Sequence, residues 1–194
     1  MRCPSCLTPA AEPVSECPAC GMSLAKLDAK YKTVPRHLRF ITDHVSLFSG
    51  EEHQALAHQI KALEKLYLGL HVTLMTLELP PNTNLREYMF WLFNRCRFSP
   101  IDAKLNRNYS VVIVIDVTSG TAFMSTGFGF EQWLQDEDLQ AILDPAIPHF
   151  KKNQMAAGCK TIFDRLAARI RSICLENDRK KGGAPKRLAV TDDL

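Results

Sequence analysis

Four of the chain's seven cysteines lie in its first twenty residues, as Cys3-Pro-Ser-Cys6 and Cys17-Pro-Ala-Cys20. A Cys-x-x-Cys turn is tight enough to place two thiolates on one ion, and two such turns supply the four sulfurs of a tetrahedral site. Pro4 and Pro18 pre-set the backbone of each turn, and Gly21 gives the freedom needed just past the second. A segment this short cannot bury a core of its own, so a bound metal has to supply its folding energy. The expected ion is a structural zinc held by Cys3, Cys6, Cys17 and Cys20, because four protein ligands leave no open position for a substrate. Iron on the same thiolates is an alternative the spacing does not separate. Paired disulfides are another, favoured only in an oxidising compartment. Residues 1–24 therefore read as a small zinc ribbon.

The remaining length, out of 194 residues, suits one medium domain. The composition is that of a globular protein, with 46% hydrophobic and 23% charged residues. No apolar run approaches the roughly 20 residues of a membrane span. The opening Met-Arg-Cys-Pro-Ser-Cys has no apolar run like a signal-peptide core. The expectation is a soluble, cytoplasmic protein. A net charge of +3 does not argue for nucleic acid. The basic stretch from Arg179 to Arg187 is nearly cancelled by Glu176, Asp178, Asp192 and Asp193, and no aromatic residues interleave with it. A nucleic-acid partner is not expected, and steeply salt-sensitive binding would be its sign.

Residues 25–39 read as a basic linker with room for a short helix, carrying Lys26, Lys30, Lys32, Arg36 and Arg39 against Asp28. Ser49-Gly-Glu-Glu52 is a capping box. Behind it Leu56, Ile60, Leu63, Tyr67 and Leu70 recur at helical spacing, which predicts a helix over about 50–69. His71 to Leu79 reads as a strand stopped by Pro80 and Pro81. Asn84 caps a helix to about Arg97, with Trp91 off its apolar stripe, and residues 98–109 read as a loop. Ser110 to Val117 is a continuous apolar run, the mark of a strand covered on both faces. Thr121 to Thr126 returns as its hairpin partner. Helical segments follow to Phe150, and a last helix covers about 153–176 before a flexible polar tail over 177–194. That order implies a small mixed sheet with helices on both faces.

Residues 40–172 resemble the TPM domain family, known from thylakoid-lumen, photosystem II repair and receptor-modulator members. The resemblance rests on Phe40-Ile-Thr-Asp43-His-Val-Ser-Leu-Phe-Ser49, on Leu92-Phe-Asn94, on the buried Val111–Val117 run, on Gly127-Phe-Gly-Phe-Glu131 and on Pro148-His-Phe-Lys-Lys. The glycine motif is its most specific element. The family implies a three-layer α/β/α sandwich around a short mixed sheet, here over 40–176. Some members act as phosphatases and some bind a divalent ion, often calcium, through acids near the glycine motif. The ribbon is similar to the short zinc ribbons at the N-termini of many bacterial proteins.

This chain departs from the family pattern where carboxylates are expected. Asn106-Arg-Asn-Tyr-Ser110 replaces an acidic, glycine-containing segment, and Lys104 and Arg107 would oppose a hard cation. Asp43 and Glu131 are the acids left at motif positions. They read either as ligands for Ca²⁺ or Mg²⁺ and an acid/base pair, or as a turn cap and a helix-start acid. Asp116 reads as a strand-end acid facing solvent. His44, His71 and His149 have no metal spacing, and Cys96, Cys159 and Cys174 read as small core residues. Two functions follow. The first is a non-catalytic accessory module that docks on a protein partner. The second is a divalent-metal-dependent phosphatase using Asp43 and Glu131, with Arg95 or Arg97 binding phosphate.

Overall fold

The computed structural model describes residues 2–9, 15–31, 40–67, 69–96, 109–131 and 133–180, without the side chains of 177–180. Four strands form one sheet in the order β1-β2-β3-β4: Ile41–Asp43, His71–Leu77, Ser110–Asp116 and Thr121–Thr126. β1, β2 and β3 are parallel, and β4 returns antiparallel to β3. All seven residues of β3 are buried, as its unbroken apolar run requires of a central strand.

Alternation along the strands divides the interior into two cores. Val72, Leu74, Val111, Ile113, Ile115 and Met124 face one core, closed by Leu56 and Ile60 of α2 (Gly50–Glu64) and by Ile162, Leu166 and Ile170 of α6 (Met155–Lys180). Met75, Leu77, Val112 and Val114 face the other, closed by Met89, Trp91 and Leu92 of α3 (Leu85–Arg95) and by Leu27 of α1 (Leu24–Tyr31). The result is the expected α/β/α layering around a short mixed sheet. Between β4 and α6, α4 (Asp136–Leu143) runs through a 3₁₀ turn at 144–146 into α5 (Ile147–Lys151).

Local signals placed the helix starts. The Ser49 side chain accepts from the Glu52 amide at 3.2 Å while the Glu52 carboxylate takes the Ser49 amide at 2.9 Å. Asn84 Oδ1 accepts from the Arg86 and Glu87 amides at 3.0 and 3.4 Å. Helix ends shift from expectation. α2 stops at Glu64 rather than near 69, where Leu66 bonds back to the Leu63 carbonyl at 2.9 Å in a tighter turn. α6 runs on to Lys180, past the expected end near 176. Trp91, off the apolar stripe of its helix, packs on a neighbour: its side chain is fully buried. Tyr31 and Tyr88 stack around it, with ring centroids 5.1 and 5.8 Å away. The expected loop over 98–109, apart from Tyr109, and the tail beyond Lys180 lie outside the described residues.

Candidate functional site

The two cysteine turns repeat one backbone design fourteen residues apart. Leu7 N–H donates to the Cys3 carbonyl at 2.9 Å, and Gly21 N–H to the Cys17 carbonyl at 2.8 Å. Cys3 N–H donates to the Thr8 carbonyl at 3.0 Å, and Cys17 N–H to the Met22 carbonyl at 2.8 Å. Short bridges, Arg2 to Pro9 and Glu16 to Ser23, close each loop. The residue after each second cysteine is left-handed, with φ of 63° at Leu7 and 69° at Gly21. Glycine takes that conformation freely and leucine does not.

This repeat converges the thiols. The four sulfurs lie within 4.8 Å of one another, with Cys3–Cys20 and Cys6–Cys17 at 3.7 Å. Sulfurs on a tetrahedron with arms of ~2.3 Å are about 3.8 Å apart, so the donor set fits one metal ion. The surroundings favour the thiolate at Cys6 and Cys17. The Thr8 side chain and amide hold the Cys6 thiol down to about 6. The Cys20 and Ala19 amides, aimed at Cys17, lower that thiol too. Cys20 is pushed up to about 11: a Met22 amide opposes this, but burial and the neighbouring sulfurs prevail. Four thiolates at this range repel one another unless a cation sits between them.

The ribbon is seated on the sheet domain through α1. Asp28 of α1 accepts from Trp91 Nε1 at 2.9 Å and from Arg95 Nε and Nη2 at 2.7 and 2.5 Å. Lys30 pairs with Glu87 at 2.7 Å, and Lys26 with Glu16 at 2.7 Å. The cations of this stretch that the structure describes are therefore tied internally. Arg95, a candidate phosphate ligand, is committed to Asp28, while Arg97 lies outside the described residues.

The acids at the sheet edges do different work from one another. Asp43, at the end of β1, accepts the Leu47 and Phe48 amides at 3.0 and 3.1 Å and the Thr76 hydroxyl. It caps a turn in which Ser46 is left-handed at φ 51°. Burial pushes its carboxyl up, but the Thr76, Leu47, Phe48 and Val45 donors outweigh that and hold it low.

Asp116 does not face solvent, as its strand-end position suggested. It is 5% exposed, and accepts the Leu79 and Thr118 amides at 3.1 Å each and the Ser119 hydroxyl at 2.5 Å. It stitches the β3–β4 turn to the chain leaving β2, and its carboxyl is likewise held low against burial by these donors. The run Asp116-Val-Thr-Ser119 was the readable signal, since aspartate before such a turn bonds its own backbone.

Glu131 is exposed on the turn after β4. That turn starts where Gly127 N–H meets the Ser110 carbonyl at 2.8 Å, at the beginning of β3. Asp43 is level with Thr76 and Ile115, five residues further along. At ~3.3 Å per residue, Asp43 and the start of the turn that carries Glu131 stand roughly 17 Å apart along the strands, on the two edge strands of the sheet. The structure does not bring them together. His44, His71 and His149 likewise join no metal set among the described residues, where the four cysteines form the one such group. Cys96 and Cys159 are core residues, and Cys174 is partly buried beside the α6 core.

A family profile for the TPM domain matches residues 41–169, from β1 through most of α6. The chain belongs to the TPM domain family. Its TPM domain is similar in fold to three structures solved by NMR. One is the N-terminal domain of a protein from P. gingivalis, 18% identical with a TM-score of 0.55, covering 70% of this chain and 84% of that one. A second is BA42 from Bizionia argentinensis, at 13% and 0.55, covering 77% and 93%. The third is the N-terminal domain of cg2496 from Corynebacterium glutamicum, at 11% and 0.51, covering 66% and 78%. No curated protein matches the chain. The ribbon and α1 lie before the matched TPM segment.

Proposed function

We propose that this chain is an accessory, protein-docking module without catalytic activity of its own. In this reading a zinc ribbon over 1–24, with Cys3, Cys6, Cys17 and Cys20 as ligands, is joined through 25–39 to a TPM domain over 40–176 with a polar tail beyond. The observation that carries it is the employment of the acids. Asp43 and Asp116 spend their carboxylate oxygens on amides and hydroxyls of neighbouring turns, and Glu131 stands at the other edge. A cation would have to displace those bonds to gain ligands. Four thiolates close the ribbon's metal, which gives it a structural role, and thiolate–zinc sites suit a reducing cytoplasm. Phe128, 72% exposed on the glycine-motif turn, is the type of aromatic anchor a partner protein buries.

The competing phosphatase reading needs Asp43 and Glu131 on one ion, with Arg95 or Arg97 free for phosphate. Hydrolysis of a generic aryl phosphate with Ca²⁺, Mg²⁺ or chelator tests it. No turnover above buffer is expected. Ion-dependent turnover that Asp43→Asn abolishes in a folded protein would overturn the docking reading. Retention of a partner by the wild type but not by Phe128→Ala would support it.

A further inference from the structure

A cavity of about 390 Å³ opens at the carboxyl end of β3, between the β3–β4 hairpin and the helical run from α4 to the start of α6. Its size is that of a small-molecule site, and the carboxyl ends of parallel strands are where open α/β sheets take ligands. Ile115, Ala122, Leu143, Phe150 and Met155 give it apolar walls. The Phe150 wall is firmly seated, since a Cβ at Gly158 behind it would lie 2.3 Å from the ring.

Two charged residues line this space, Asp116 and Lys151. Asp116 has nothing left to offer a ligand. A carboxylate has about four acceptor sites, and the Leu79, Thr118 and Ser119 amides with the Ser119 hydroxyl fill them. The Gln140 amide is tied to Asp144. Lys151 is exposed, and its side chain has no hydrogen bond or ion pair among the described residues. An apolar cavity whose one uncommitted charge among the described residues is a cation is complementary to an anion with a hydrocarbon body.

We infer that this cavity binds a small amphipathic monocarboxylate, its hydrocarbon chain against Leu143 and Phe150 and its carboxylate on Lys151. The inference goes beyond the docking reading and does not depend on it. Decanoate is the probe, titrated into the full zinc-loaded chain with decylamine as the control, followed by amide chemical shifts. Decanoate is expected to give saturable shifts at Gly120, Ile147 and Lys151, and decylamine to bind at least about tenfold more weakly. Lys151→Glu should weaken decanoate by about tenfold or more, the scale of one charge-assisted hydrogen bond. Leu143→Trp should fill the space and abolish the shifts. If that variant unfolds, Ile147→Trp, at a position already 41% exposed, occludes the mouth instead. The inference is overturned by equal binding of both probes, by shifts only where decanoate self-associates, or by binding that survives occlusion. Partition of the protein onto phosphatidylcholine vesicles without those shifts would overturn it in favour of a lipid surface.

Discussion

Within the described part of the first 23 residues, only Cys3 and Cys17 are buried, whereas every residue of β3 is. The two regions sit in one molecule but are held by opposite means. The TPM domain excludes water from two apolar cores, and removing a single side chain leaves most of each core in place. Among its described residues the ribbon has no apolar interior. Its order comes from backbone bonds that aim four sulfurs at one point, so a metal ion bound there would stabilise it far more than side-chain burial does. The difference teaches that a chain can carry one element built around a point where a metal ion could sit and another built around buried apolar surface, with α1 as the seam between them.

Breaking the metal site should separate the regions most sharply. Cys6→Ser, or chelation of the wild type, is expected to drop bound metal from one equivalent to none and to disorder residues 2–23. Structural zinc in such peptides is worth about 10–16 kcal/mol. Amide exchange should show β2 and β3 still protected. Parallel loss of protection in both regions would refute the division. Trp91→Ala attacks the seam. It removes a fully buried ring and the Asp28 bond, and should cost about 3–5 kcal/mol in chemical denaturation, with metal stoichiometry unchanged.

Asp43→Asn tests the sheet edge at smaller scale. Replacing a carboxylate that accepts two amides and a hydroxyl should cost about 1–3 kcal/mol. The sign in pH follows from the lowered carboxyls of Asp43 and Asp116. Their stabilisation is full above the unfolded value of about 3.9 and is lost as pH falls through the lower folded values, where the unfolded chain binds protons first. The variant should show a shallower acid limb in stability against pH. The smallest effect is expected at the left-handed position of each cysteine turn. Leu7→Gly should relieve about 1 kcal/mol of strain and slow metal extraction by chelator. Gly21→Ala should speed it.

Legibility followed the range of the interactions. The Ser49 and Asn84 caps act over two or three residues and could be read directly, as could the cysteine turns and the β3 run. Asp28 was read as a lone acid in a basic connector, because its partners Trp91 and Arg95 lie 63 and 67 residues away. Trp91 was legible as lying off its helix's stripe, but the neighbour that covers it, α1, could not be named, because its partner Asp28 is 63 residues away. Asp43 and Glu131 were both visible as motif acids, but strand direction decides which sheet edge each occupies, and motif order along a chain does not state it. Asp116 was misplaced because burial at a strand end depends on the segment after Leu77 folding over it.

By itself, the sequence determined the metal-ready thiol spacing, the alternation of helix and strand, and the double-covered central strand. These depend on residue chemistry and on periods of two and 3.6 that any local segment displays. The tertiary structure alone decided that α1 clamps the ribbon to α3, that two acids are spent as turn caps, that Asp43 and Glu131 lie at opposite edges, and that a cavity forms with Lys151 at its side. Each of these is a meeting of groups far apart along the chain. Which groups meet is set by packing two apolar cores against one sheet.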